Sequence, residues 1–252
     1  MPERHPIVEA HTATALKSQV IPVFSLPDAE RDEMWSLYHR FYAGTNRARF
    51  DDDLTRKDSL LVLRDDQQRI QGFSTLALGF AEHEGRVIRY VFSGDTIVDR
   101  AHWGSQSLAF TWLRYVGDIK RERPELPLFW FLIVKGHRTF RYLPTFAREF
   151  WPHWERGTPD SIAALMRKLA EERFGDAFDA QSGLIRYPES HGHLTEDCAE
   201  ANEREAARED VSFFLRRNPG YRSGHELVCL CELARENLRP LARRLFDGGS
   251  AH

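Results

Sequence analysis

The pattern of apolar and polar positions between residues 86 and 142 predicts most of the fold. Arg86–Val98 (RVIRYVFSGDTIV) is rich in β-branched and aromatic side chains, which predicts a strand. In Ser105–Arg121 the apolar residues recur every three or four positions, which predicts an amphipathic helix. Leu126–Val134 (LPLFWFLIV) is a nearly unbroken apolar run, typical of a strand covered on both faces. Together they indicate a parallel βαβ unit, whose loop and helix start form a natural anion site.

The same patterns predict elements on both sides of this unit. On the N-terminal side we expect an edge strand containing Pro22 at Val20–Leu26 and a helix at Pro27–Tyr42. A loop at Gly44–Phe50 separates this helix from a second one at Asp51–Lys57. The strands Ser59–Leu63 and Ile70–Phe80 then form a hairpin. On the C-terminal side we expect a helix after Thr158-Pro159, followed by a polar excursion or lid at Gly175–Asp210. Two strands, Val211–Arg216 and Glu226–Leu233, and a helix at Arg235–Phe246 that is kinked at Pro240 come after it.

Composition narrows the class of protein. The 252 residues are 42% hydrophobic and carry a formal charge of −3, which gives no electrostatic case for a nucleic-acid surface. Three cysteines make no disulfide scaffold and suit a reducing compartment. The first residues lack the apolar segment of a secretory signal, and the longest apolar run is far shorter than the roughly 20 residues that span a bilayer. We therefore expect a soluble cytoplasmic protein that binds neither membranes nor nucleic acid.

The order of these elements resembles the core of the GNAT superfamily, the acyl-CoA-dependent N-acyltransferases. VFSGDTIVDRAHWGSQSLA lies where those proteins have a bulged strand, a pyrophosphate-binding turn and a helix. KGHRTFRY keeps the seven-residue step to a tyrosine that the family often shows after its next strand. The resemblance implies an α/β (α+β) fold with a mixed, mostly antiparallel, splayed sheet flanked by helices. It also implies transfer of an acyl group from acyl-CoA or acetyl-CoA to an amine.

The resemblance and the patterns together predict the organisation of the chain. We expect a flexible N-terminal segment at 1–19 and an acyltransferase core at 20–155. A helical insertion or lid follows at 156–210, and residues 211–252 supply C-terminal strands that complete the sheet and a terminal helix.

The donor site is predicted at the turn after the first strand of the βαβ unit. A diphosphate needs converging backbone N–H groups, best provided by a helix N-terminus and a turn of small residues. The residues assigned to the donor are Phe92, Gly94, Trp103, Gly104, Ser105, Gln106 and Ser107. A strand glycine such as Gly94 often marks a bulge, and in the family a bulge here frees backbone groups for the donor's pantetheine arm. The alternative for Gly104-Ser105 is a helix N-cap that binds no anion.

Two residues are assigned catalytic roles. By resemblance, Tyr142 would return a proton to the leaving thiolate, although a lone helical tyrosine is more often a packed residue. Asp95, just past the bulge, is the best-placed general base, and the alternatives are Glu82, His83 and Glu84 in the hairpin, His102 and His137. Backbone amides near Phe92–Asp95 would stabilise the tetrahedral intermediate.

The acceptor is predicted to be a small-molecule amine. Arg47, Glu82 and His137 are the assigned acceptor-binding residues, and Arg49 beside Arg47 would also suit an anionic acceptor. Trp151, His153 and Trp154 would wall an acceptor pocket or seal a homodimer, and the sequence does not choose between them. His191, His193 and Cys198 lack a second ligand pair at zinc spacing, so no metal is expected.

Two other functions stay open at this stage. In one, the donor is an acyl group on an acyl carrier protein, as in the related acyl-homoserine-lactone synthases, and a basic patch beside the turn would favour it. In the other, the protein is a non-catalytic descendant used for binding. A turn at Trp103–Ser107 filled by side chains, with no cleft beside Tyr142, would favour that second function.

Overall fold

The structure is a computed structural model that describes residues 16–249. Within this range the strands are β1 Lys17–Pro22, β2 Tyr42–Ala43, β3 Ser59–Arg64, β4 Ile70–His83, β5 Arg86–Val98, β6 Leu128–Val134, β7 Phe178–Asp179, β8 Leu184–Ile185, β9 His193–Leu194 and β10 Glu226–Glu232. The helices are α1 Asp28–Tyr38, α2 Arg47–Thr55, α3 Ser107–Glu122, α4 His137–Phe140, α5 Tyr142–Phe146, α6 Asp160–Phe174, α7 Glu196–Ala199, α8 Glu203–Ala206, α9 Glu209–Arg217 and α10 Pro240–Phe246.

One twisted sheet organises the described chain. Its strand order is β1-β3-β4-β5-β6-β10-β8-β7, and β2 pairs with β9 apart from it. Neighbouring strands run antiparallel except β5 and β6, which are parallel and joined by the crossover helix α3. The predicted fold class, a mixed and mostly antiparallel sheet flanked by helices, is confirmed.

Helices cover both faces of the sheet because its central strands are apolar on both. In β6, Trp130 and Leu132 face the side of α3 and α10, while Phe129 and Phe131 face the side of α6. α3 buries Leu108, Trp112, Val116 and Ile119 on its sheet-facing stripe, the pattern that its sequence predicts. A further apolar cluster fixes α1 and α2 against β3 and β4.

The sheet is interrupted at the predicted glycine. Ser74 pairs with Thr96 and Leu76 with Ser93, so Thr75 of β4 lies opposite two residues of β5, Gly94 and Asp95. This extra residue is a β-bulge. The parallel pairing of β5 with β6 ends at Ser93 and Leu132, so the two strands separate from the bulge onward. The predicted splay at Gly94 is confirmed, and it opens the sheet toward the βα turn.

Four predictions of secondary structure were wrong in detail. Val211–Arg216 lies in helix α9 rather than in a strand, because Val211, Phe213 and Phe214 bury one face of an amphipathic turn. Arg47–Phe50 belongs to α2 rather than to a loop, since Asn46 caps that helix by accepting from the N–H of Arg49. Pro240 begins α10 rather than kinking it. The polar excursion supplies β7 and β8 at one edge of the main sheet, so this part is not a purely helical lid.

The termini bear on one further prediction. Most of the segment predicted to be flexible, 1–19, lies outside the described residues, and Lys17–Gln19 belong to β1. β1 pairs with β3 and has no partner on its other side within residues 16–249, so an edge strand that contains Pro22 is present. Its predicted bounds, Val20–Leu26, were wrong, because the strand ends at Pro22 and Val23–Ser25 form a 3-10 turn.

Candidate active site

A cavity of about 1040 Å³ opens where β5 and β6 separate. The second half of β5 and the end of β6 form its floor, and α1, α2, α5 and α6 contribute to its walls. It reaches the turn between β5 and α3 at one side and the start of β10 at the other. The topology therefore places the bulge, the turn and the C-terminal strand around one space.

Asp95 presents a carboxylate to this cavity. It is half-buried, and its carboxylate has no hydrogen-bond or ion-pair partner within residues 16–249. Burial, together with the nearby Asp53, raises the pKa of Asp95 to about 6, while Lys135 and Lys57 oppose the shift. Such a group is largely ionised at neutral pH yet basic enough to accept a proton.

Two lysines neutralise the other carboxylates in the depth of the cavity. The buried Lys57 ammonium pairs with Asp53 and donates to the Asp53 carbonyl at 3.2 Å. Lys135 Nζ lies 3.4 Å from Glu226 Oε1 and 5.3 Å from the centre of the Tyr42 ring. Burial opposes the charge on Lys135, but Glu226 and Asp95 raise its pKa above the ordinary value. These two pairs leave Asp95 as the carboxylate without a counter-ion at the bulge.

Aromatic rings line much of the remaining wall. They come from α1, the β2 strand, β5 and the loop after β8, as Tyr38, Tyr42, Tyr90, Phe92 and Tyr187. The Arg173 guanidinium of α6 stacks on Phe92, with its carbon 3.8 Å from the ring centre. Burial lowers the pKa of Arg173, and no acid pairs with it within residues 16–249.

Tyr142 begins α5 and lines the same cavity. It also borders a small apolar pocket of about 30 Å³, together with Gly94, Ile133 and Thr139, at the point where the strands part. Its ring packs on Phe146, and no hydrogen bond engages its hydroxyl within the described residues. Burial raises the pKa of Tyr142, so its hydroxyl stays protonated near neutral pH. The structure brings Tyr142 and the bulge to one site.

The turn from Trp103 to Gln106 forms another wall of the cavity. Gly104 adopts φ +97°, a left-handed conformation that favours glycine, and a side chain there would meet open space. α3 begins at Ser107, and its N-cap residue Gln106 makes no side-chain cap. Ser105 Oγ contacts Ser107 Oγ at 3.3 Å and accepts from the Ser107 N–H at 3.3 Å. The N–H groups of Leu108 and Ala109 have no acceptor among residues 16–249.

Arginines that sequence reasoning missed flank this turn. The guanidinium carbon of Arg138 lies 4.7 Å from the Trp103 ring centre, and that of Arg100 lies 5.6 Å from it. Arg141 also lines the cavity, and its buried Nε has no hydrogen-bond partner in the part of the chain that the structure describes. Glu205 lies 3.7 Å from Arg138, and Asp210 lies 3.7 Å from Arg141. For Arg138 and Arg141 the signal was the pair of arginines in KGHRTFRY.

Three residues assigned to the acceptor lie away from the cavity. Arg47 points to α1 and its own helix, where it pairs with Asp32 at 2.6 Å and Asp51 at 2.7 Å. Glu82 is exposed at the far end of the β4–β5 hairpin. His137 is fully buried, and its Nε2 lies 3.8 Å from Glu205 Oε1. Burial and the neighbouring Arg138 lower the pKa of His137. Because His137 is fully buried and does not line the cavity, the geometry does not support it as an acceptor ligand.

Of the other sequence candidates, Arg49, His102, His191 and Cys198 line the cavity, and Arg49 pairs with Glu189 at 3.0 Å. His153 and Trp154 pack on Phe150, Trp151 packs on His153, and none of the three lines the cavity. Within residues 16–249, no group of three or more His, Cys, Asp or Glu is placed to hold a metal ion. No helix in that range is both long and apolar enough to cross a membrane.

No protein-family model and no curated protein matches the chain. Solved structures do, at low similarity. A probable N-acyltransferase of Enterococcus faecalis V583 is 12% identical with a TM-score of 0.39, covering 53% of this chain and 33% of its own. The Escherichia coli GNAT family N-acetyltransferase YhbS, in complex with CoA, is 16% identical with a TM-score of 0.37, covering 54% and 72%. Arabidopsis thaliana NAA60, with a bisubstrate analogue, is 10% identical with a TM-score of 0.38, covering 53% and 86%.

Some matched structures contain nucleic acid. They include AtaT complexed with acetyl-methionyl-tRNAfMet and a KacTA–DNA complex, at 12% and 15% identity and TM-scores of 0.35 and 0.36. At such scores the matches carry no argument about this chain. The absence of a nucleic-acid partner stays a prediction. The likeness to the GNAT superfamily is one of fold, seen in the chain's own strand order, bulge and splay.

Proposed function

We propose that this GNAT-like chain transfers an acyl group from acyl-CoA to an amine. The observation that carries the proposal is a single cavity lined by an uncompensated carboxylate at a β-bulge, a free tyrosine hydroxyl and an open helix start. The three are the parts that direct acyl transfer requires: a base, an acid and an anion site.

The donor would bind along the splayed edge of β5. Its diphosphate would lie at the turn 103–107, where the free N–H groups at the start of α3 meet the Ser105 and Ser107 hydroxyls. Arg138 and Arg141 would contribute guanidinium N–H groups beside it, each shared with an acid 3.7 Å away, Glu205 and Asp210. The pantetheine arm would follow Phe92–Asp95, whose backbone is unpaired on the β6 side beyond Ser93.

The reaction would proceed by direct attack. The Asp95 carboxylate takes a proton from the acceptor ammonium, and the neutral amine forms a C–N bond with the thioester carbon. The C–S bond breaks, and the Tyr142 hydroxyl donates its proton to the leaving thiolate. The nitrogen of the tetrahedral intermediate loses its second proton to solvent. Solvent also protonates the Tyr142 oxygen again and removes the first proton from Asp95, so the products are an amide, free CoA and one released proton.

The experiment that tests this function measures release of free CoA thiol from acetyl-CoA and longer acyl-CoAs in the presence of an amine panel. We expect Tyr142→Phe and Asp95→Asn each to lower kcat by about 10²-fold or more, while CoA affinity changes little. Tyr115→Phe is the matched control, since Tyr115 bonds Ser59 away from the cavity. Amine-dependent thiol release that is unchanged in both active-site variants would contradict the assigned roles.

One observation also favours a carrier-protein donor. Arg100, Arg138 and Arg141 lie beside the turn, where an acidic carrier protein would compete for them with their partners Asp197, Glu205 and Asp210. Acyl transfer from an acylated carrier protein, with none from acyl-CoA, would establish this alternative. The three free cysteines are buried and fit an enzyme of the cytoplasm, which we propose as its compartment.

A further inference from the structure

Two ion pairs lie inside the cavity, and two further charged groups of opposite sign are partly buried beside them. Lys57 pairs with Asp53 and Lys135 with Glu226. Within residues 16–249, the Asp95 carboxylate and the Arg173 guanidinium line the cavity and have no ion-pair partner. Glu172, next to Arg173, also lines the cavity without an ion-pair partner within residues 16–249, but it is exposed at the rim. The other arginines of the lining each have an acid beside them, and these pairs are Arg49 with Glu189, Arg56 with Asp52, Arg138 with Glu205 and Arg141 with Asp210.

The unpaired charges lie on the same wall. Arg173 stacks on Phe92, which is three residues before Asp95 on β5. Lys57 Nζ lies 5.7 Å from the centre of the same Phe92 ring and acts on the charge of Asp95. Phe92 and Lys57 thus connect the two sites across the bulge.

The stacking prepares Arg173 to bind an anion. A guanidinium held over the face of an aromatic ring keeps its N–H groups in its own plane, where they point outward and can bind a ligand. The edge of that plane matches the two oxygens of a carboxylate, and side-chain freedom is already lost before the ligand arrives. An acid pocket built for a polyamine would leave several carboxylates unpaired, whereas here the lysines neutralise Asp53 and Glu226.

We infer that the acceptor is an amino acid or a similar amine that carries a carboxylate, with its amine at Asp95 and its carboxylate at Arg173. This inference rests on the proposed function and names the substrate class of that site. The aromatic wall of Tyr38, Tyr42 and Tyr187 would contact the rest of the acceptor.

The test compares amino acids with their own amides as acceptors, using glycine, leucine and phenylalanine. Each amide keeps the amine and the side chain and loses only the negative charge. The amine of the amide has the lower pKa, so a larger fraction of it is unprotonated at a given pH. A preference for the acid therefore cannot come from a larger supply of free amine. We expect kcat/KM to favour the acid by about tenfold or more for at least one pair.

Variants of α6 assign that preference to Arg173. We expect Arg173→Gln to lower kcat/KM for the acid about 10- to 100-fold and to leave the amide nearly unchanged, with Arg173→Lys in between. Arg167→Gln, at an exposed position of the same helix outside the cavity, is the control and should change neither.

The outcomes separate the two proposals. Equal use of acids and amides, or equal loss of both in Arg173→Gln, would overturn the inference and leave acyl transfer standing. Absence of CoA binding, or of transfer to any amine, would overturn the proposed function itself.

Discussion

Burial of the Asp95 carboxyl favours catalysis but lowers the stability of the folded protein. It raises the pKa to about 6, which suits a general base at neutral pH. It also makes the ionised form costly in the folded protein, since the lysines nearby are already paired with Asp53 and Glu226. Activity and stability should therefore respond to Asp95 in opposite directions.

The first prediction concerns the pH dependence of catalysis. The base must be deprotonated to act, so kcat/KM should rise with pH through about 6 and level off above it. Initial rates from pH 5 to 8 with a saturating donor measure this limb. Asp95→Asn should remove this rise of kcat/KM with pH together with most of the activity. A rise that persists in that variant would show that a group other than Asp95 titrates.

The second prediction concerns stability. The carboxyl of Asp95 ionises near pH 3.8 when unfolded and near pH 6 when folded, so the folded state binds more protons between these values. Its contribution to the free energy of unfolding is therefore lost as pH rises through that window. Asp95→Asn should be more stable than the wild type at pH 8, by about 1–3 kcal/mol, and lose this advantage near pH 4. Thermal unfolding at both pH values tests this, and a less stable variant at pH 8 would contradict it.

At the scale of elements, the bulge in β5 depends on the small size of Gly94. A Cβ there would overlap Thr75 Oγ1 and come within 2.7 Å of Lys57 Cε. The Lys57 side chain is buried and paired with Asp53, so it cannot easily move aside. The same contact therefore couples the shape of the bulge to the charges of the site.

We expect Gly94→Ala to destabilise the protein by about 1–3 kcal/mol, the usual range for overpacking. For a chain of this length that lowers Tm by about 2–4 °C for each kcal/mol. Gly157→Ala is the control, because a Cβ there meets nothing within 4 Å. Adding Thr75→Ala should restore part of the loss, since Thr75 Oγ1 has no hydrogen-bond partner within residues 16–249. No difference between the two alanine variants would contradict this account of the bulge.

Local patterns predicted the central elements well. The β-branched run at Arg86–Val98 matches β5 to the residue, and the glycine within it marks the bulge. Short apolar segments were harder, since Val211–Arg216 satisfies a strand pattern and forms the buried face of α9. Tertiary packing decides such cases.

The site was only partly predictable, because distant segments supply its charges. The proposed base and acid, Asp95 and Tyr142, were chosen from their position around the βαβ unit, and the structure places both at the cavity. Lys57, Arg173 and Glu226 come from the end of α2, from α6 and from β10, and only the strand order brings them to one cavity. Arg47 was a poor choice because its ion pairs are with acids of α1 and α2.

At the scale of the whole molecule, the sheet places every part of the proposed chemistry at one opening. β5 provides the bulge and the base, the following turn faces the cavity, and α5 brings Tyr142 to the same place. β10 closes the other side of β6 and contributes Glu226. The central claim is that this opening accepts a CoA thioester.

Calorimetric titration with CoA and acetyl-CoA tests that claim most directly. We expect one site of micromolar affinity in the wild-type protein. Binding should be lost in Ser105→Glu, whose added negative charge would repel the diphosphate, and retained in Ser36→Glu, which places the same charge on the exposed face of α1. A folded wild-type protein that binds neither compound, or equal binding by both glutamate variants, would contradict the assignment of the donor site.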